Sequence, residues 1–159
     1  MRDGNYQPNC LNILYYNARS LLPKMDELRV LVDMQQPHIV SIVETWLSSE
    51  ILDNEIYLQG YQVLRLDRNC HGGGILMFIH ESLVPKVAVA GPSDLELLIT
   101  SVHNHVSSCK HHIGLFYRPP SSGVQNLERL YTYFESLDLS YFSNFVFLGF
   151  MPLLFYAPA

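Results

Sequence analysis

Between Tyr61 and Tyr117 the chain offers a succession of short apolar segments with only turn signals between them. They are Tyr61 to Asp67, Ile75 to Ile79, Leu83 to Ala90, Leu95 to Val102 and His111 to Tyr117, and the turns fall at Asn69 to Gly74, at Gly91-Pro92 and around Asn104 to Ser108. No gap is long enough for a helical crossover, so these segments read as strands whose neighbouring pairs are mostly antiparallel. The stretch before them has a different rhythm. Leu11 to Asn17 (LNILYYN) reads as a strand; Pro23 suits a first helical turn, Met25, Leu28, Leu31 and Val32 follow at helical spacing, and Pro37 ends the pattern. His38 to Glu44 (HIVSIVE) is a β-branched run typical of a strand buried on both faces. Strand, helix and strand in that order predict a parallel pair. After Pro119-Pro120, Leu127, Leu130, Phe134 and Leu137 mark a second amphipathic helix, and Asn144 to Gly149 (NFVFLG) begins a further strand. The sum is a mixed α/β domain with helices facing sheets and no internal repeat.

A chain of 159 residues, 48% hydrophobic and 16% charged, is long enough to bury one core. Ten Lys plus Arg against fifteen Asp plus Glu give a net charge of -5, the wrong sign for holding nucleic acid over the whole surface by phosphate neutralisation. A local basic site remains open, because Arg19, Arg65, Arg68 and Arg118 fall in or beside the motifs described below. Cys10, Cys70 and Cys109 form no C-x-x-C pair, which argues against a disulfide framework or a zinc finger. With no apolar run behind Arg2, no secretory signal is read at the N-terminus, and an intracellular protein of nucleus or cytoplasm, not secreted, is expected. Phe145 to Ala159 is almost wholly apolar, but it is shorter than the roughly 20 residues a bilayer requires, and Pro152 and Pro158 interrupt it, so no membrane anchor is expected.

A parallel strand-helix-strand unit brings the carboxyl ends of its strands to one sheet rim, where open α/β folds place ligands. Asn17 and Glu44 stand at those ends, and an amide oxygen with a carboxylate suits a hard cation such as Mg²⁺. The same residues also suit a solvated turn and a surface strand end. His103, His105, His111 and His112 group around Cys109, but their spacing fits no zinc pattern, and solvated imidazoles at a strand-end turn are expected. Gly72 to Gly74 lack the Lys-Ser or Lys-Thr of a nucleotide loop and read as a hairpin turn. Trp46 and the ten tyrosines have the chemistry to stack bases, although most aromatics in so hydrophobic a chain belong to the core.

Taken together, N-A-R-S-L-L-P-K at Asn17 to Lys24, I-V-E-T-W-L at Ile42 to Leu47, G-Y-Q-V-L-R-L-D-R at Gly60 to Arg68, G-G-G-I-L-M-F-I at Gly72 to Ile79 and Y-R-P-P at Tyr117 to Pro120 resemble, in order, the motifs of one family. It is the endonuclease domain of non-LTR retrotransposons, within the endonuclease/exonuclease/phosphatase superfamily that includes the abasic-site endonucleases. The resemblance runs from about Leu11 to Gly149 and implies a four-layer α/β/β/α sandwich over residues 11–149, incomplete at the C-terminus, with a divergent apolar tail at 150–159. It implies Mg²⁺-dependent nicking of DNA by in-line attack of water on phosphorus. Glu44 would be the metal-binding carboxylate, Asn17 would belong to the same metal site, and Tyr117 would donate a hydrogen bond near the phosphate. Arg68 and Arg118 are the candidate substrate contacts, with a solvated loop as the other reading of Arg118. DNA is the implied partner, weakly held given the net charge, and no obligate protein partner is evident.

The resemblance fails where the family has Gly-Asp-Phe-Asn, whose Asp activates the attacking water and whose Asn orients the phosphate. Here Gly149 is followed by Phe150, Met151 and Pro152, and no Asp or Glu occurs after Asp138. The family's final Ser-Asp-His also has no counterpart. The expectation is therefore a catalytically inactive fragment, with a non-catalytic nucleic-acid- or protein-binding remnant as the alternative. The abruptness of the change after Gly149 suggests a break in the reading frame or gene model, which fails as an idea if neither alternative frame downstream encodes Asp-Phe-Asn and a later Ser-Asp-His.

Overall fold

The computed structural model describes residues 11–104, 110–137 and 144–150. The first sheet contains β1 (Ile13–Asn17), β2 (Ile39–Val43), β3 (Tyr61–Leu66) and β4 (Ile75–His80) in the order β1-β2-β4-β3. The second contains β5 (Leu83–Ala90), β6 (Glu96–Asn104), β7 (Lys110–Tyr117) and β8 (Phe145–Phe150) in sequence order. Helix α1 (Met25–Gln35) connects β1 to β2, and α2 (Gln125–Ser136) lies between β7 and β8. Both helix-bridged pairs, β1–β2 and β7–β8, are parallel, and every other pair is antiparallel.

Alternation along the strands sorts the apolar residues into three cores. In β2 and β4, Val40, Ile42, Leu76 and Phe78 meet Met25, Leu28 and Val32 of α1. Ile39, Val43, Ile75, Met77 and Ile79 point the other way, against Leu98, Val102, Ile113, Leu115 and Tyr117 of the second sheet. On the far side of that sheet Leu97, Ile99 and Phe116 pack on Leu130 of α2, with Leu127, Phe134 and Leu137 beside it. Helix, sheet, sheet and helix thus form the four expected layers, and β2 is buried at every position because apolar groups cover both of its faces. Gly114 keeps the second sheet close to its aromatic neighbours, since a Cβ there would lie 2.7 Å from the Phe147 ring.

One expectation needs adjustment, and others fall outside the described residues. The final strand runs to Phe150, and residues 151–159 of the expected tail lie outside the described residues. His112 is a buried member of β7 with 5% of its surface exposed, not a solvated turn residue, because both faces of β7 are covered from His112 to Tyr117. His105 and Cys109, with the turn expected around them, lie outside the described residues. Among the described residues no helix is long and apolar enough to cross a membrane.

Candidate active site

The parallel pairing of β1 with β2 sets Asn17 beside Val43, and the next residue is Glu44. The chain leaving β1 stays against the chain leaving β2: Ala18 donates to the Val43 carbonyl at 2.9 Å, Ser20 to that of Glu44 at 3.0 Å and Leu21 to that of Thr45 at 2.9 Å. Lys24, the last residue of the first motif, turns its ammonium back onto the carbonyls of Ala18 and Arg19. Asn17 Oδ1 accepts the Arg19 N–H at 3.2 Å, which leaves the oxygen a second lone pair. Asn17 and Glu44 therefore do share one rim.

This rim is conformationally strained. Among the described residues six non-glycine positions have positive φ, and four of them are Arg19, Ser20, Glu44 and Trp46, with φ of 45°, 79°, 57° and 55°. Such backbone persists only where surrounding structure over-determines it, and it concentrates at functional sites. The bracing structure is the turn between β3 and β4. Thr45 donates to the Gly74 carbonyl at 3.2 Å and Trp46 to that of Gly73 at 3.0 Å. In return Gly73 N–H donates to Glu44 Oε2 at 3.0 Å, and the Trp46 indole Nε1 donates to the same oxygen at 2.6 Å. One carboxylate oxygen is thereby anchored twice. The other, Oε1, has no hydrogen-bond donor among the described residues. The E-T-W-L and G-G-G motifs are two halves of one interlocked structure.

Only glycine satisfies the turn. Gly73 and Gly74 have φ of +69° and +82°, and a Cβ would fall 2.5 Å from Arg68 Cζ at the first and 2.4 Å from Thr45 Oγ1 at the second. The expected hairpin turn is present, and it also supplies backbone donors that nothing in a run of glycines announces.

Glu96, at the start of β6, reaches this turn from the second sheet. Its Oε2 accepts the Gly74 N–H at 2.5 Å and its Oε1 accepts Arg68 Nη1 at 2.8 Å, while Arg68 Nε holds the Gly72 carbonyl at 2.9 Å. Burial pushes the Glu96 carboxyl above its ordinary range; the Gly74 N–H and Arg68 pull against that rise, and the Glu44 charge adds to it. Glu96 is paired in the ladder with Tyr117, so the phenol-bearing residue joins Glu44 through Glu96 and the glycine turn. The sequence reading missed Glu96, and it singled out Trp46 only as a base-stacking or core aromatic, not as a donor to Glu44.

A cleft of about 600 Å³ opens beside these groups, with Arg68, Glu96, Tyr117, Pro119, Ser122 and Asn126 in its wall. Asn17 and Glu44 do not line it. Tyr117 is 1% exposed and stands in the core between the sheets as well as in the cleft wall. Arg118 departs from both expectations: only 2% of it is exposed, and its Nη2 donates to the Ser122 carbonyl at 2.9 Å, fastening the loop after β7. Arg118 does not line the cleft, whereas the equally buried Tyr117 does. Arg68, whose side chain is 38% exposed, keeps a face available to the cleft.

The donor chemistry fits a hard divalent ion. Glu44 offers a fixed carboxylate with one oxygen unengaged among the described residues, and Asn17 an amide oxygen at the same rim, a small oxygen set of the kind Mg²⁺ accepts while retaining waters. Among the described residues no group of three or more His, Cys, Asp or Glu assembles a softer or fuller metal cage.

No family model matches the chain, and no curated protein sequence does either. Solved structures do. An AP endonuclease from Archaeoglobus fulgidus superposes with a TM-score of 0.65 at 18% identity, covering 88% of this chain and 56% of its own. The endonuclease domain of TRAS1, a telomere-specific non-LTR retrotransposon, gives 0.61 at 13% identity, covering 88% and 58%. The 3' phosphatase NExo from Neisseria, bound to product DNA hairpin, gives 0.66 at 14%, covering 88% and 57%. The chain has the fold of these nucleases and spans a little over half of their length.

Proposed function

We propose that this chain carries the cation-binding half of a phosphodiesterase site, takes Mg²⁺ at Glu44 with Asn17 beside it, and does not hydrolyse phosphodiesters. The observation that carries this reading is the Glu44 carboxylate, fixed through Oε2 by Gly73 and Trp46 on a strained rim, with Oε1 unengaged among the described residues. A bound divalent ion would supply charge stabilisation for phosphate oxygens. The chain's own groups would orient the substrate: Tyr117 is a phenolic donor in the cleft wall, and Arg68 offers the positive charge there.

What argues against turnover is the residue where the resembled family places the water-activating Asp. That position is Phe150, the register partner of Tyr117, and a phenylalanine offers neither a proton acceptor nor a charge. A positioned acid-base group contributes about 10²- to 10⁴-fold, so its loss alone slows cleavage by that factor. Asp67, Asp94 and Glu96 also line the cleft with Arg68, so a phosphate backbone is attracted there only when a divalent ion offsets the acids. DNA binding by this reading is weak and cation-dependent.

The test is calorimetric titration of Mg²⁺ and Mn²⁺ into the purified chain and its Glu44→Ala variant, with plasmid nicking assayed in parallel. The expected result is a saturable site abolished by the substitution and no nicking above background. Absence of binding heat would reject the cation site. Nicking that disappears in Glu44→Ala would reject the loss of catalysis.

A further inference from the structure

Glu96 is the group through which the second sheet grips the turn that anchors Glu44. It spans the sheet-to-sheet gap: its backbone starts β6, while its side chain holds the residue just before β4. Both oxygens are committed, one to Gly74 N–H and one to Arg68, and Arg68 in turn clamps the Gly72 carbonyl, so the three glycines are held from both ends. The fit leaves no slack. A Cβ at Gly73 would lie 2.5 Å from Arg68 Cζ and 2.7 Å from Glu96 Oε1, which means that the ion pair fills the space directly over the residue whose N–H meets Glu44.

We propose that Glu96 is a positioning residue for Glu44: with Arg68 it sets the glycine turn so that Gly73 N–H fixes the metal-binding carboxylate, and through its ladder pairing it sets Tyr117 relative to that carboxylate. The proposal rests on the reading of Glu44 as a cation ligand. Its ligand is a hard divalent cation, and its action is indirect, since its oxygens are occupied by the turn and by Arg68. Partners of this kind typically change metal affinity by about 10- to 100-fold when removed.

Two measurements on Glu96→Ala, Glu96→Gln and Arg68→Met separate this inference from its premise. The first is the indole N–H resonance of Trp46 and the amide resonance of Gly73 in the metal-free protein, both of which report the anchoring of Glu44 directly. The second is Mn²⁺ affinity. Expected are displaced Trp46 and Gly73 resonances and an affinity about tenfold or more weaker in Glu96→Ala, with partial recovery in Glu96→Gln, whose amide oxygen still accepts from Gly74. Unchanged resonances in a folded Glu96→Ala would overturn the inference even if Mn²⁺ binds the parent chain. Displaced resonances in a parent chain that binds no Mn²⁺ would uphold the brace and reject the cation reading of Glu44. Should Glu96→Ala not fold, Arg68→Met decides by the same two readouts, because that side chain is 38% exposed. Loss of fold in both would make the pair a general structural brace and overturn the assignment.

Discussion

A carboxylate buried against a glycine turn pays in stability for the geometry it imposes. Glu96 illustrates this, since burial raises its pKa above the ordinary 4.5 despite its partners. A folded pKa above the unfolded one means that the fold favours the protonated form. The resulting stabilisation is complete in acid, below about 4.5, and is lost as pH rises through the folded value. Glu96→Gln removes that titration. We therefore expect the melting temperature of the wild type, relative to Glu96→Gln, to be highest near pH 4 and to fall as the pH approaches 7, as followed by circular dichroism. A difference that does not vary with pH would show that Glu96 titrates alike in folded and unfolded chains. The same scale explains what sequence reading missed. The indole of Trp46 looks like core, and Glu96 looks like an ordinary exposed position in a strand, because their partners lie on segments distant in sequence. Arg118 looked like a loop arginine because nothing in Y-R-P-P discloses that the following loop folds back over its side chain.

At the scale of elements the sequence was far more informative, for a physical reason. Strand and helix periodicities are local, and the alternation that puts Ile39 and Val43 in one core and Val40 and Ile42 in another is written directly in HIVSIVE. The parallel β1–β2 pair, the antiparallel pairs β3–β4, β5–β6 and β6–β7 and the face of α2 that meets the sheet all follow from such patterns. The glycine turn did not follow, because three glycines specify permissiveness and not what the permissive backbone will hold. Its dependence on glycine is testable. Gly74→Ala combines a positive φ with a Cβ 2.4 Å from Thr45 Oγ1, so it should destabilise the fold by more than the roughly 1 kcal/mol of the conformational effect alone. Urea unfolding checks this, and a loss below about 0.5 kcal/mol would mean that the turn relaxes freely.

For the whole molecule, three cores and four layers place one rim of Asn17, Glu44, Glu96 and the glycine turn beside a cleft whose wall includes Tyr117. Among the described residues the second sheet ends on β8, in which Phe145, Val146, Phe147 and Leu148 are each only partly buried. An apolar edge strand is a template for pairing with other chains. The isolated chain should accordingly self-associate, with apparent mass in analytical ultracentrifugation rising with concentration; a single monomeric boundary at all concentrations would contradict this. The central claim, that Glu44 anchors a hard cation, has a reporter built into the protein. Trp46 is the only tryptophan, and its indole donates to Glu44 at 2.6 Å. Terbium, an oxygen-preferring trivalent stand-in for Mg²⁺, should luminesce on excitation of Trp46, saturate, be displaced by excess Mg²⁺ and give no signal with Glu44→Ala. Absence of sensitised emission from the wild type, or emission equally strong in Glu44→Ala, would contradict the account.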